Sequence, residues 1–176
     1  MSARIVLVSG PPASGKTSLA RPLAAALGFG LIAKDDIKEP IFDALGGVKG
    51  DLEFSHRIGA ASWEVLWSLA RRQPHAVLEA NFDPESAYER RQLLSLDARI
   101  VEVYCRCPPE EVARRYAERA RSPVRHDAHA ALPELSVEEI ARRFARPIGI
   151  GAVLEIDTTT DVDLVVVARR IETLWG

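Results

Sequence analysis

Residues 10–17 read Gly10-Pro11-Pro12-Ala13-Ser14-Gly15-Lys16-Thr17, the G-x-x-x-x-G-K-[ST] spacing of a phosphate-binding loop, with Ser18 following. No other feature restricts the chain so tightly, because such a loop works only between a strand and a helix. Arg4-Ile5-Val6-Leu7-Val8-Ser9 supplies the strand, an apolar, β-branched run ended by glycine, and Ser18-Leu19-Ala20 continues into a helix. Backbone N–H groups of the loop face phosphate oxygens, and the helix N-terminus adds partial positive charge. Lys16 is placed to reach the β- and γ-phosphates, and the Thr17 hydroxyl to sit on Mg²⁺. The expected ligands are therefore ATP and Mg²⁺, held by residues 10–18. The competing reading is a glycine-rich turn with a stray lysine, and the strand before and helix after weigh against it.

Composition bounds what surrounds the loop. A chain of 176 residues, 47% hydrophobic, is one domain by length and can bury a proper core. A net charge of −2 speaks against a nucleic-acid coat or membrane-surface protein. Of the 23 basic residues, 19 are arginine, and the lysines are Lys16, Lys34, Lys38 and Lys49. Arginine is thus abundant chain-wide, and no single arginine cluster is informative by number alone. Cys105 and Cys107 stand two apart in an apolar run, so they cannot staple the fold, and no Cys/His metal set is visible. No signal peptide and no apolar run of ~18 residues is seen, so a soluble, cytoplasmic protein without membrane contact is expected.

Strand and helix signals alternate. Strands are expected over 4–9, 30–34, 76–81, 99–105 and 152–157, and helices over 16–27, 52–72, 84–95, 109–121, 137–146 and 162–174. Asp83 before Pro84 and the capping box Ser136-x-x-Glu139 mark two helix starts. Pro22 is expected to kink or shorten the first helix. Five short apolar strands separated by helices mean an α/β fold: a three-layer arrangement with a five-stranded parallel sheet covered on both faces.

Lys34-Asp35-Asp36-Ile37-Lys38 directly follows the second strand, and ligands of open α/β sheets bind beyond the carboxyl ends of strands. Transfer of a phosphoryl group to a hydroxyl needs a carboxylate that orients the acceptor and takes its proton. Asp35, nearest the strand end, is the first candidate; Asp36 is the second, and both are equally readable as helix caps.

With the phosphate loop, Asp35-Asp36 and the arginine-rich helix from Pro109, the chain resembles the P-loop small-kinase group, most of all its polynucleotide-kinase, chloramphenicol-phosphotransferase and zeta-toxin branch. The resemblance implies the sheet order 2-3-1-4-5, a helical lid over ATP spanning about 109–133, and Asp35 as catalytic base. It also places Lys38 where the branch carries a residue that contacts a substrate phosphate, with solvated helix surface as the plainer reading. Glu79 and Asn81, two apart at the end of the third strand, point to one face. The resemblance makes them substrate-binding residues, with Glu79 or Asp35 reaching Mg²⁺ through water. The chain lacks the aspartate of an ordinary Walker B strand.

Arg115 and Arg119, one turn apart with Arg114 beside them, match the lid arginines that stabilise the transferring phosphoryl group. The plainer reading is a solvated face of Arg/Glu pairs. Asp157, Thr158 and Thr159 correspond to the loop beside adenine, with Thr160 or Asp161 as helix cap. His126 and His129 are either substrate contacts or solvent-exposed, and Trp63 and Trp67 read as packing residues. Together these residues imply transfer of the γ-phosphoryl group to a small hydroxylated acceptor such as an antibiotic, sugar or nucleoside. A polynucleotide 5′-hydroxyl comes second, because a strand-tracking groove needs a basic stripe, and a toxin acting on a nucleotide sugar third. The reading from another class is an ATP-binding switch or adaptor without transfer activity, which has no use for Asp35.

Overall fold

In the computed structural model of the chain, residues 2–122, 125–129, 136, 139 and 142–176 are described. The order of elements is β1 (Ala3–Ser9), α1 (Lys16–Leu27), β2 (Gly30–Ala33), α2 (Lys34–Ala44), α3 (Leu52–Ala70), β3 (His75–Glu79), α4 (Ala87–Leu94), β4 (Ala98–Arg106), α5 (Pro109–Arg121), a 3₁₀ turn (Asp127–His129), β5 (Ala152–Asp157) and a last helix, α6 (Leu164–Trp175). The five strands form one parallel sheet in the order 2-3-1-4-5. β1 is central, which puts the phosphate loop in the middle of the sheet's carboxyl edge.

Both faces of the sheet are covered at its centre, so β1, β3 and β4 are continuously buried runs, while the edge strand β5 alternates buried and exposed residues. Val6 and Val8 of β1, with Val77, Val103 and Leu154, pack on Leu19 and Leu23 of α1 and on Val167 and Ile171 of α6. Ile5 and Leu7, with Ala76, Leu78 and Ile100, pack on Leu66 and Trp67 of α3 and on Leu93. The result is the expected three-layer α/β fold of the P-loop type. Trp63 and Trp67 are stacked at 5.3 Å and Trp67 is fully buried, so both pack. Cys105 and Cys107 are buried free thiols. No described helix is long and apolar enough to cross a membrane.

Helix boundaries depart from the sequence reading in ways that have local causes. Residues 34–44 form α2, which starts on the residue after β2 with Ala33 as N-cap and no side-chain cap. Neither Asp35 nor Asp36 is therefore a cap; both lie in the first turn, where a carboxylate complements the helix dipole. α4 begins at Ala87, not at Pro84, because Ser86 accepts from Glu89 N at 3.2 Å while Asp83 Oδ1 holds a turn through Glu85 N at 3.0 Å. α6 is capped by Asp163, which accepts from Val165 N and Val166 N, and not by Thr160 or Asp161. Pro22 does not shorten α1: it sits on the exposed side, where water can satisfy the carbonyl its missing N–H releases. The helix expected over 137–146 falls largely outside the described residues. Its capping box is described: Ser136 N donates to Glu139 Oε2 at 2.7 Å and Glu139 N to Ser136 Oγ at 3.2 Å.

One buried charge holds the chain's return to β5. Glu102 of β4 is fully buried, and its carboxylate accepts from Ser9 Oγ at 2.5 Å, Ile148 N at 3.0 Å and Gly149 N at 2.9 Å. Removing it strands two buried donors, the Ser9 hydroxyl and the Ile148 N–H, away from water. The expected outcome for Glu102→Ala is a loss of about 3 kcal/mol or more of unfolding free energy in urea titration, with a smaller loss for Glu102→Gln.

Candidate active site

The loop after β1 holds a backbone that most residues resist. Gly10 (φ 135°), Ala13 (φ 63°) and Gly15 (φ 87°) are all left-handed or nearly so, a form that gathers N–H groups into an anion-binding concavity. A Cβ on Gly10 would lie 2.7 Å from the Cys105 carbonyl oxygen, so only glycine fits there. Ala13 accepts the conformation at a cost of about 1 kcal/mol. The loop is tied down by Ser14 N to Pro11 O at 3.2 Å and by Thr158 Oγ1 to Ser14 O at 2.6 Å. Lys16 folds its ammonium onto Pro11 O at 2.7 Å and is 5% exposed. Burial lowers its pKa, while the charge of Glu79 pulls it back up. Ser14 Oγ is buried without a hydrogen-bond partner among the described residues. A desolvated ammonium, an orphaned hydroxyl and a concave run of N–H groups form the donor set that a nucleotide's phosphates require.

Glu79 ends β3 beside β1 and is 5% exposed. Thr17 Oγ1 donates to its Oε2 at 3.3 Å. Burial raises its pKa, and Lys16 opposes the shift. Glu79 is thus the carboxylate that meets the loop threonine from the strand beside β1. A hydroxyl and a carboxylate in contact suit Mg²⁺, which takes few protein oxygens and keeps waters and phosphate as its other ligands. Asn81 does not share the strand with Glu79: β3 ends at Glu79, and Asn81 is exposed beyond it.

The two aspartates separate as one helical step requires. Asp36 receives both bonds of the Arg21 guanidinium, at 2.7 and 2.9 Å, on the α1 side. Asp35 keeps an exposed carboxylate, 4.0 Å from His129 Nε2, whose charge is felt by Lys16, Lys34, Lys38 and Glu79. It is the aspartate that faces the phosphate loop.

Across the crevice, α5 presents Arg115 and Arg119 to Gly15, Lys16, Thr17 and Ser18. Arg114 faces outward, where Glu111 and Glu118 occupy its fork. Arg115 is held by Glu111 at 2.6 Å and by Thr158 O at 3.2 Å. The Arg119 side chain makes no ion pair or hydrogen bond among the described residues, and its charge lowers the Lys16 pKa. Asp157 pairs with Arg106 at 2.7 Å and accepts from Thr159 N and Oγ1, so residues 157–159 brace both the loop and Arg115.

Lys38 is not solvated surface. It is half-buried and donates to Ser55 Oγ at 2.8 Å and to Ala128 O at 2.7 Å. Burial first, and Lys34 second, lower its pKa to about 8. Nor are His126 and His129 free in solvent: His126 Nε2 lies 3.2 Å from Asp43 and His129 Nε2 2.8 Å from Glu39. Ala128 between them is fully buried with Phe42 and Ile58. The sequence reading missed Lys34, Ser55 and Glu89 at this end. The Lys34-x-x-x-Lys38 spacing would have exposed the lysine pair once α2 was recognised as a helix.

A family model described as AAA domain matches residues 5–147. Among solved structures, a protein from Chloroflexus aurantiacus described as a candidate kinase is 25% identical with a TM-score of 0.86, covering 98% of each chain. A shikimate kinase from Acinetobacter baumannii bound to shikimate is 22% identical with a TM-score of 0.60, over 99% of this chain and 93% of that one. A gluconokinase from Sinorhizobium meliloti is 17% identical with a TM-score of 0.51, over 98% and 91%. No curated protein matches the sequence.

Glu89 gives the site's edge a pH dependence. Burial is the main cause that raises its pKa to about 7, and the N–H of Asp83, donated to its Oε2 at 2.8 Å, lowers it only in part. A carboxyl that titrates higher in the folded than in the unfolded chain favours folding below pH ~4.5, and that contribution is lost as pH rises toward 7. Glu89→Gln should thus gain stability relative to the parent across this window, on the order of 2 kcal/mol by pH 7.5, measured by urea titration at several pH values.

Proposed function

The chain belongs to this AAA domain family, and we propose that it is an ATP-dependent phosphotransferase of the P-loop kinase type acting on a hydroxyl of a small molecule. The reading is supported by Lys16, Thr17 and Arg119 lining one crevice, with Glu79 bonded to Thr17 and the charges of Glu79 and Asp35 acting on Lys16. A switch or adaptor needs the loop but not an exposed aspartate held electrostatically against it. The kinases among the structural neighbours support the same reading, and the resemblance to the polynucleotide-kinase and chloramphenicol-phosphotransferase branch agrees with it.

Bound Mg-ATP supplies the γ-phosphoryl group. Asp35 accepts a hydrogen bond from the acceptor hydroxyl and takes its proton as the acceptor oxygen–phosphorus bond forms and the bond from the γ-phosphorus to the bridging oxygen breaks, which releases ADP. Lys16 and Arg119 meet the negative charge spread over the transferring oxygens, and Arg115, braced by Glu111 and Thr158, holds the nucleotide side. Thr17 and Glu79 would hold the Mg²⁺ ion. α5, the described helix of the expected lid 109–133, would exclude water over the bound nucleotide, and residues 123–124 and 130–133 of that segment lie outside the described residues. A small acceptor fits the net charge of −2 better than a polynucleotide does.

Single-turnover assays with γ-labelled ATP against pooled hydroxylated metabolites test this directly; ATP binding without transfer to any of them would favour the switch. Asp35→Asn should keep ATP affinity and lose transfer by about 10²-fold or more. Asp36→Asn should leave transfer intact, because its carboxylate is engaged by Arg21. The reverse result would exchange their roles. Lys16→Ala should remove ATP affinity in calorimetry while the protein stays folded.

Arg119→Ala tests the far wall of the crevice. It should lower single-turnover transfer by about 10³-fold with little change in thermal stability, since the Arg119 side chain has no ion pair or hydrogen bond among the described residues. An unchanged rate would confine charge stabilisation to Lys16 and the cation.

A further inference from the structure

Building on the phosphotransferase reading, we propose that Lys34 is the residue that recognises an anionic group, a carboxylate or phosphate, carried by the acceptor, and that Lys38 serves instead as a strut.

Lys34 and Lys38 are one turn apart on α2 and so share a face. That face meets α3 at Gly59, where a Cβ would lie 3.9 Å from Lys34 Nζ and 3.8 Å from Lys38 Cε. With no side chain there, a notch remains beside both lysines, adjacent in sequence to Asp35. The two ammonium groups are used differently. Lys38 is committed to the Ser55 hydroxyl and the Ala128 carbonyl, which fasten the 3₁₀ turn to α2 and α3. The Lys34 ammonium lies 5.1 Å from the centroid of the Trp63 ring and has no hydrogen bond or ion pair among the described residues.

The surrounding carboxylates are engaged elsewhere. Glu89 accepts the Asp83 N–H, Asp83 is paired with Arg143, and Glu39 lies against His129. Asp35, exposed and 4.0 Å from His129, is the carboxylate that remains for the acceptor. A half-buried ammonium that faces an aromatic ring and feels the charges of Asp35 and Glu89, with no hydrogen bond or ion pair among the described residues, retains three N–H donors without a strong acceptor. Burial lowers its pKa, so an oxyanion arriving in the notch would regain charge stabilisation that the fold leaves unmade. Trp63, stacked on the buried Trp67, fixes the wall against which the lysine stem lies. A ligand whose hydroxyl sits at Asp35 and whose anionic group sits at Lys34 would be fixed at two points before transfer.

The test reads lysine reactivity and turnover on the same samples. The protein with ATP is acetylated by an N-hydroxysuccinimide ester with and without glycerol, glycerate and glycerol 3-phosphate, then with glucose, gluconate and glucose 6-phosphate. Each lysine is followed by peptide mass spectrometry, with Lys49 as internal reference. The expected result is protection of Lys34 by the anionic member of at least one series and not by its neutral parent; whether carboxylate or phosphate protects identifies the group. For a protecting compound, Lys34→Gln should weaken its binding in calorimetry and raise the concentration that half-saturates transfer by about 10- to 100-fold. Lys34→Arg should restore most of it, with the KM for ATP and thermal stability unchanged. Equal protection by neutral and anionic members, or none by any, overturns the assignment whatever the transfer assay shows. Protection without transfer to any protecting compound leaves the anion site standing and removes the phosphotransferase reading.

Discussion

Everything at the functional edge depends on a backbone that must turn its N–H groups inward in the space between one strand and one helix. Gly10 can press against the Cys105 carbonyl because it has no side chain, and Cys105 belongs to β4, the neighbour of β1. The loop is therefore seated on the adjacent strand. Its other side is held by the Thr158 hydroxyl, beyond the end of β5. Loop, β4 and the turn after β5 form a unit, and this unit carries Arg115 through the Thr158 carbonyl. Geometry set at one glycine thus reaches the opposite wall of the crevice.

Charge is distributed with similar economy. Lys16 is desolvated at the bottom, Glu79 beside it is pushed toward neutrality by burial, and each opposes the shift of the other. On α5 the fork of Arg114 is filled by neighbours on its own helix, whereas Arg119 keeps its field directed at Lys16. Two like charges facing across a crevice are unfavourable unless an anion lies between them. Part of the folding free energy is thereby held as affinity for a polyanion.

The five-stranded parallel sheet was legible in the sequence as apolar runs with helices between them, and its order came from the resemblance to the P-loop small kinases. The placement of the loop and of Asp35 at the carboxyl edge was legible because both directly follow strand ends. Other parts depended on contacts that no pattern encodes. α2 was obscured by Pro40 at its seventh residue and by the want of a capping side chain, although its first turn carries both aspartates. Glu102 reads as a polar break in β4, and only the distant segment 148–149 explains it. The engagement of Lys38 depends on Ala128, ninety residues away. The place of Glu79 beside Thr17 required knowing which strand neighbours β1.

The 3₁₀ turn 127–129 has a mechanical consequence. Ala128 is buried against Phe42 and Ile58, its carbonyl is gripped by Lys38 and Ser55, and both flanking histidines reach carboxylates of α2. The turn lies downstream of α5 in the chain but is fastened to the helix that bears Asp35. Any displacement of this turn must therefore disturb α2, because its carbonyl is held by Lys38 and both histidines reach Asp43 and Glu39 there.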